Sequence, residues 1–257
     1  MIKMKITRVD RNNDNTPILS NNEIDEFAHE VLADYKPSLL REPRAIDFEH
    51  FLEKYLGVEL LFKDIYNKDP EKQILATSVF RDGVVKVFDR EKERVANIIV
   101  RANTIIIDNL VMERGKEGFA RFTGMHEGRH ILMHYGVYSV FRSGQTCCRR
   151  DGVEKFGSGS NSQRTAEQWR EYQADYFASA IVMPNATFIP AVNRFLRDHG
   201  VRKGSISLGA DDDLDILARD LLPEYVADIY GVSKRAATVK LRKNGFVSVE
   251  NALISEL

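Results

Sequence analysis

Cysteine is nearly absent from this chain: among 257 residues there are two, Cys147 and Cys148, side by side. Adjacent cysteines are poorly placed to bridge each other, so no disulfide framework is expected, and reduced thiols point to a cytoplasmic address. Long apolar runs are also missing. Nothing approaches the ~20 residues of a transmembrane helix, and residues 1–7 lack the apolar stretch of a signal peptide, so no membrane partner is expected. Charge of one sign is not in excess either: 37 Lys+Arg stand against 38 Asp+Glu, a net charge of −1. That excludes a chain that is basic overall and leaves nucleic-acid contact only as a local matter. No internal repeat is present, which removes the solenoid architectures. What remains, 43% hydrophobic and 29% charged residues, is enough for a full core in one large or two modest domains.

Periodicity divides the chain. Ser20 is placed to cap a helix with an apolar stripe of Ile24, Phe27, Ala28, Val31 and Leu32. A second helix is expected over 46–56, stopped by Gly57. Five short β-branched or aromatic segments follow, at 58–62, 74–80, 84–88, 95–100 and 104–107, with Arg81-Asp82-Gly83 reading as a hairpin turn. A long helix is expected from Lys116 to Tyr135, ending at Gly136, then an irregular connection over 137–164, then a helix over 165–183 halted by Pro184. Near the C-terminus, Asp211 to Asp213 can cap one helix. Beyond it, Gly231 and Ser233 separate two further helical segments in a helix-turn-helix pattern.

The chemistry concentrates in His126-Glu127-Gly128-Arg129-His130. Residues i and i+4 share one helix face, so both imidazoles can address one metal ion. Glu127 lies about 100° round the helix, beside the ion, where its carboxylate can take a proton from an attacking water. A catalytic zinc needs a third protein ligand and an open position. His134 is one turn beyond His130, but a straight helix puts it about 12 Å from His126, too far for one ion unless the helix breaks early. A histidine facing the helix C-terminal dipole is its plainer reading. Glu171 is the better candidate, because Asp175 follows it by one turn and could accept the outer N–H of a ligating histidine. Glu167, one turn earlier, is the rival. Tyr172, Tyr135 and His134 are unranked candidates for a second oxyanion donor. Cys147 and Cys148 fall in the 137–164 connection, where a thiolate could occupy the ion's open position; two structural thiols are the preferred reading.

The segment 122–127, followed by His130, His134, Glu171-x-x-Ala174-Asp175-x-Phe177-Ala178 and Val182-Met183-Pro184, resembles the ImmA/IrrE family of metallo-endopeptidases. Asn103-Thr104-Ile105-Ile106-Ile107-Asp108 adds to the resemblance, which spans about residues 20–250. It implies a zinc-dependent endopeptidase of bacteria or their mobile elements, cleaving a helix-turn-helix repressor. By the same resemblance His126, His130 and Glu171 are the zinc ligands and Glu127 the general base. One departure stands out: the family has an apolar residue and then glycine inside HExxH, whereas Gly128-Arg129 occupies those places here. A glycine inside a helix costs about 1 kcal/mol relative to alanine.

The expected fold class is α+β. A small, mainly antiparallel sheet packs on the HExxH helix and a second ligand-bearing helix, and a helix-turn-helix-like C-terminal subdomain follows. The expected division is a flexible segment 1–19, a zinc metallopeptidase domain 20–205 and the C-terminal subdomain 206–250. The basic residues Lys234, Arg235, Lys240, Arg242 and Lys243 give that subdomain a weak nucleic-acid contact or a dock for a repressor. The competing function is a zinc-containing transcription regulator that binds DNA or a repressor without cutting it.

Overall fold

The computed structural model describes residues 9–10, 16–69, 73–113, 115–140, 144–149, 165–209 and 211–249. The polar run 11–15 and the glycine- and serine-rich 157–162 lie outside them. Helix α1 (Asn21–Tyr35) starts with a full capping box: the Ser20 side chain accepts from the Glu23 N–H, and the Glu23 side chain accepts from the Ser20 N–H. Its apolar stripe is buried as the sequence pattern requires. Helix α2 (Phe48–His50) is capped by Asp47 and widens into a π turn, Phe51–Tyr55, before the chain enters the sheet.

The sheet has four strands, β1 (Glu59–Lys63), β2 (Ile74–Val79), β5 (Thr104–Asp108) and β6 (Gln145–Arg149), in the order β1-β5-β2-β6. The β2–β5 and β2–β6 pairs are antiparallel, and β1–β5 is parallel, with Glu59 opposite Thr104. Strands β3 (Gly83–Asp89) and β4 (Arg94–Val100) form a separate antiparallel ribbon. The turn expected at 81–83 is therefore not a hairpin between paired strands. Both edges of β2 are occupied, by β5 and β6, so the chain after Phe80 leaves the sheet and pairs β3 with β4 instead. The all-buried β5 shows the layering: Ile105 and Ile107 face the main helical core, while Ile106 faces a small cluster with Val79, Val85, Val87 and Val100 under the ribbon.

On the helical face lie α3 (Glu117–Met133) and α5 (Ala166–Val182), the second opened by a Thr165 capping box with Gln168. Between them the chain is not structureless. Helix α4 (Tyr135–Tyr138) and strand β6 occupy part of it, and the backbones of Cys147 and Cys148 pair opposite Thr77 and Ala76. Helix α6 (Asn185–Asp198) follows. Then come β7 (Ile206–Leu208), α7 (Asp212–Ile216) with a π turn Leu217–Leu221, α8 (Leu222–Tyr230), α9 (Lys234–Lys243) and β8 (Val247–Val249), which pairs parallel to β7. The turn between α8 and α9 docks on the start of α3. A Cβ at Gly118 would sit 2.6 Å from the Val232 carbonyl carbon, so only glycine allows this approach. Arg121 donates to the carbonyls of Ile46 and Gly231, tying α2 and the α8–α9 turn to the same helix. Among the described residues no helix is long and apolar enough to cross a membrane.

Candidate metal centre

Helix α3 is weakly amphipathic because it is buried almost all round, including the polar His126, Glu127, Arg129 and His130. Its close approach to α2 explains the glycine inside HExxH. A Cβ on Gly128 would lie 2.7 Å from Leu52 Cδ2, so the missing side chain makes room for the α2 segment. This brings the helix against both the π turn and the sheet, and leaves its histidine face toward α5.

There the two histidines meet Glu171. His126 Nε2 and His130 Nε2 are 3.2 Å apart, His126 Nε2 is 3.1 Å from Glu171 Oε2, and His130 Nε2 is 3.5 Å from Glu171 Oε1. Donors about 2 Å from a tetrahedral zinc are separated by about 3.3 Å, so these spacings are the edges of one face of such a site. Two imidazoles and a carboxylate form a donor set that suits zinc, and these three residues are a cluster able to hold a metal ion. Both rings are buried, while Glu171 keeps a third of its side chain exposed, so the cluster opens to solvent on that side. Glu167 lies on the exposed surface of α5. Of the two acids considered for the third position, Glu171 is the one brought to both rings.

The outer nitrogens of the two rings have unlike partners. Asp175 Oδ1 is 2.6 Å from His126 Nδ1, the placement expected of it. His130 Nδ1 instead lies 2.9 Å from His134 Nδ1. Helix α3 does break early, at Met133, with His134 as its C-cap, but the break turns His134 onto the far edge of the His130 ring, away from the donor cluster. His134 is therefore not a third donor, and it stands at the helix C-terminus as its C-cap. It is fully buried, with Nε2 3.4 Å from Gln173 Oε1. Behind it lies Arg129, also fully buried, donating to Gln173 Oε1 at 2.6 Å and to the Arg170 carbonyl at 3.3 Å. No carboxylate contacts Arg129 among the described residues, and burial pushes its pKa down to about 9, which still leaves it charged at neutral pH.

These surroundings split the pair electrostatically. Burial disfavours the charged form of His126, but Asp175 and Glu171 outweigh it and raise its pKa well above the imidazole range. His130 is pushed down to about 3, by burial first and then by the charges of His126 and Arg129, against Glu171. Glu171, though buried in part, is held down to about 2 by His130, His126 and Arg129. Glu127 is fully buried and accepts a hydrogen bond from the Ser78 hydroxyl of β2. Ser78, Arg129 and Gln173 carry no motif signal; only the packing of β2 and α5 on α3 identifies them. Of the three oxyanion candidates, His134 is turned away and the Tyr172 hydroxyl donates to Asn21 at 2.7 Å. Tyr135 packs on Phe80 and is partly exposed. Tyr138, not anticipated, lies edge-on to His130, and its hydroxyl accepts from Arg170 at 3.0 Å. Burial pushes its pKa up to about 12, with Glu171 adding to the shift.

Of the C-terminal basic residues, Arg235 and Arg242 are exposed, and the other three have partners or are buried. Lys234 pairs with Asp220 at 2.6 Å, Lys240 is buried near the Phe188 ring, and Lys243 lies over Tyr172 and Tyr176.

The profile of a protein family described as Peptidase_M78, IrrE N-terminal-like domain, matches residues 100–242, a span that includes the histidine pair, Glu171 and all but the last residue of α9. No curated protein matches the chain. Among the solved structures that match is a Mycobacterium tuberculosis transcriptional regulator, 11% identical, with a TM-score of 0.43 over 86% of this chain. This chain spans about half of that one, 48% of its length.

Proposed function

The chain belongs to the Peptidase_M78 family, IrrE N-terminal-like, and from that premise we propose that it is a zinc-dependent endopeptidase acting on a helix-turn-helix repressor. The observation that carries the reading is the set of three donors, from His126, His130 and Glu171, at 3.1 to 3.5 Å from one another, with Glu127 following His126 in the helix. In this reading His126, His130 and Glu171 hold the ion. When bound, zinc supplies a Lewis acid and lowers the pKa of water to about 7. Glu127 is the general base: it takes the proton of the attacking water and returns it to the leaving amine. Ser78 keeps that carboxylate in place by donating to it. Asp175 fixes the His126 ring with Nδ1 protonated and Nε2 turned inward, and His134 holds the outer edge of the His130 ring.

The family supports a protein substrate, and the pairing of Lys234 with Asp220 and the burial of Lys240 leave less charge for a nucleic acid. The cellular setting proposed is cytoplasmic control of a mobile element or stress response. The test is Glu127→Gln on purified protein incubated with a candidate repressor, with and without chelator. Zinc content should stay at one ion per chain while cleavage is lost, by about 100-fold or more. Specific fragments from the Glu127→Gln variant would remove Glu127 as the general base, whereas a stable complex with no fragments from the wild type would replace the peptidase with a binding regulator.

A further inference from the structure

Beside the three donors, and linked to them by Asp175 in its lining, is a cleft of about 530 Å³ that the chemistry above leaves unused. Its place follows from two facing helices with residues spaced by four. His130 meets Glu171, His126 meets Asp175, and one turn farther along Phe122 and Ser179 both line the cleft. One helical turn is about 5.4 Å, close to two residues of an extended peptide. The walls include Leu75, Val111, Phe119, Phe122, Val232 and Val239, drawn from the sheet, α3 and the α8–α9 turn docked through Gly118.

The charged residues lining it are Lys116, Arg235, Lys243 and Asp175. Asp175 is occupied by His126, Lys116 pairs with Glu113 at 2.6 Å, and Lys243 lies over two tyrosine rings. Arg235, exposed in the first turn of α9, is the cation placed to meet an incoming anion.

We infer that this cleft is a specificity subsite for the peptide substrate, taking an apolar side chain within about two residues of the cut bond, beside an acidic residue that faces Arg235. The inference rests on the endopeptidase reading. The volume is in the range of about 300–1,000 Å³ usual for ligand clefts, and its apolar walls with a cationic rim complement that pair of residues. The zinc-loaded chain is incubated with a mixture of random unstructured peptides, and the cut bonds are read by mass spectrometry. Leu, Met or Phe should be enriched at one fixed position near the cut, with Asp or Glu next to it. Arg235→Glu should shift the acidic-to-basic preference by about tenfold in relative kcat/KM, and Val239→Asp should abolish the apolar preference, both with zinc content unchanged. Cutting without these enrichments, or with enrichments that neither variant moves, overturns the subsite and leaves the endopeptidase standing. No cut in the peptides while the repressor is still cut overturns the subsite alone, and no cut in either overturns the endopeptidase and the subsite with it.

Discussion

His126 and His130 are the same residue one turn apart on one helix, yet the fold treats them oppositely. The outer nitrogen of His126 faces a carboxylate, Asp175, at 2.6 Å; that of His130 faces a neutral ring, His134, with a buried arginine behind it. One is pushed up in pKa and the other down to about 3. A protonated imidazole nitrogen cannot bind an ion, so the two bring different costs to metal binding. His126 must give up a proton that Asp175 and Glu171 help it hold, while His130 is already neutral at any physiological pH. Motif spacing alone gives no hint of this asymmetry. It comes from which side chains α5 and the end of α3 turn toward each ring.

The asymmetry can be broken in several ways. Glu171→Ala removes a donor common to both rings, and zinc affinity measured by chelator competition should fall by more than the roughly 100-fold ceiling of an outer partner. Asp175→Asn should cost about 10- to 100-fold, because the charge-assisted bond to His126 is lost. His134→Gln should cost less than Asp175→Asn, near the lower end of that range; equal losses would mean that the two outer partners are equivalent.

The pH dependence of the metal-free protein sharpens the same contrast. His130 titrates near 6.5 when unfolded and near 3 when folded, so below about pH 6.5 the unfolded state binds the extra proton and stability is lost as pH falls. His126 works the other way: its raised folded pKa adds stability that is complete below about 6.5 and disappears as pH rises through the folded value. The melting temperature of metal-free protein should therefore decline on both sides of about pH 6.5, and Asp175→Asn should flatten only the alkaline arm. The smallest effect is expected at Gly128→Ala. Better helix propensity, about 1 kcal/mol, is set against crowding of Leu52 at 2.7 Å, for a net loss of about 1 kcal/mol and a drop of about 2–4 °C in melting temperature.

Much of the architecture was legible along the chain. The Ser20 cap, the five strand segments and the Thr165-started helix are local patterns, readable because capping and side-chain alternation depend on near neighbours. The turn at 81–83 misled, because strand pairing is decided by which edges of β2 are already taken. His134 shows a related limit of sequence reading. A straight helix excludes it from the donor cluster, and a bent one places it beside His130, but only the packing of α4 and α5 shows which. No local pattern marks Arg129 as buried, yet it is fully buried.

Residue order alone set the one-turn spacing of His126 and His130, the carboxylate between them and the acid pair Glu171 and Asp175 on a second helix, since helical periodicity is a property of the backbone. Convergence of those two helices, the unlike partners of the two rings and the cleft beside them were decided by tertiary packing. Contacts between segments some 40 residues apart depend on how buried surfaces fit, and no local rule encodes that fit.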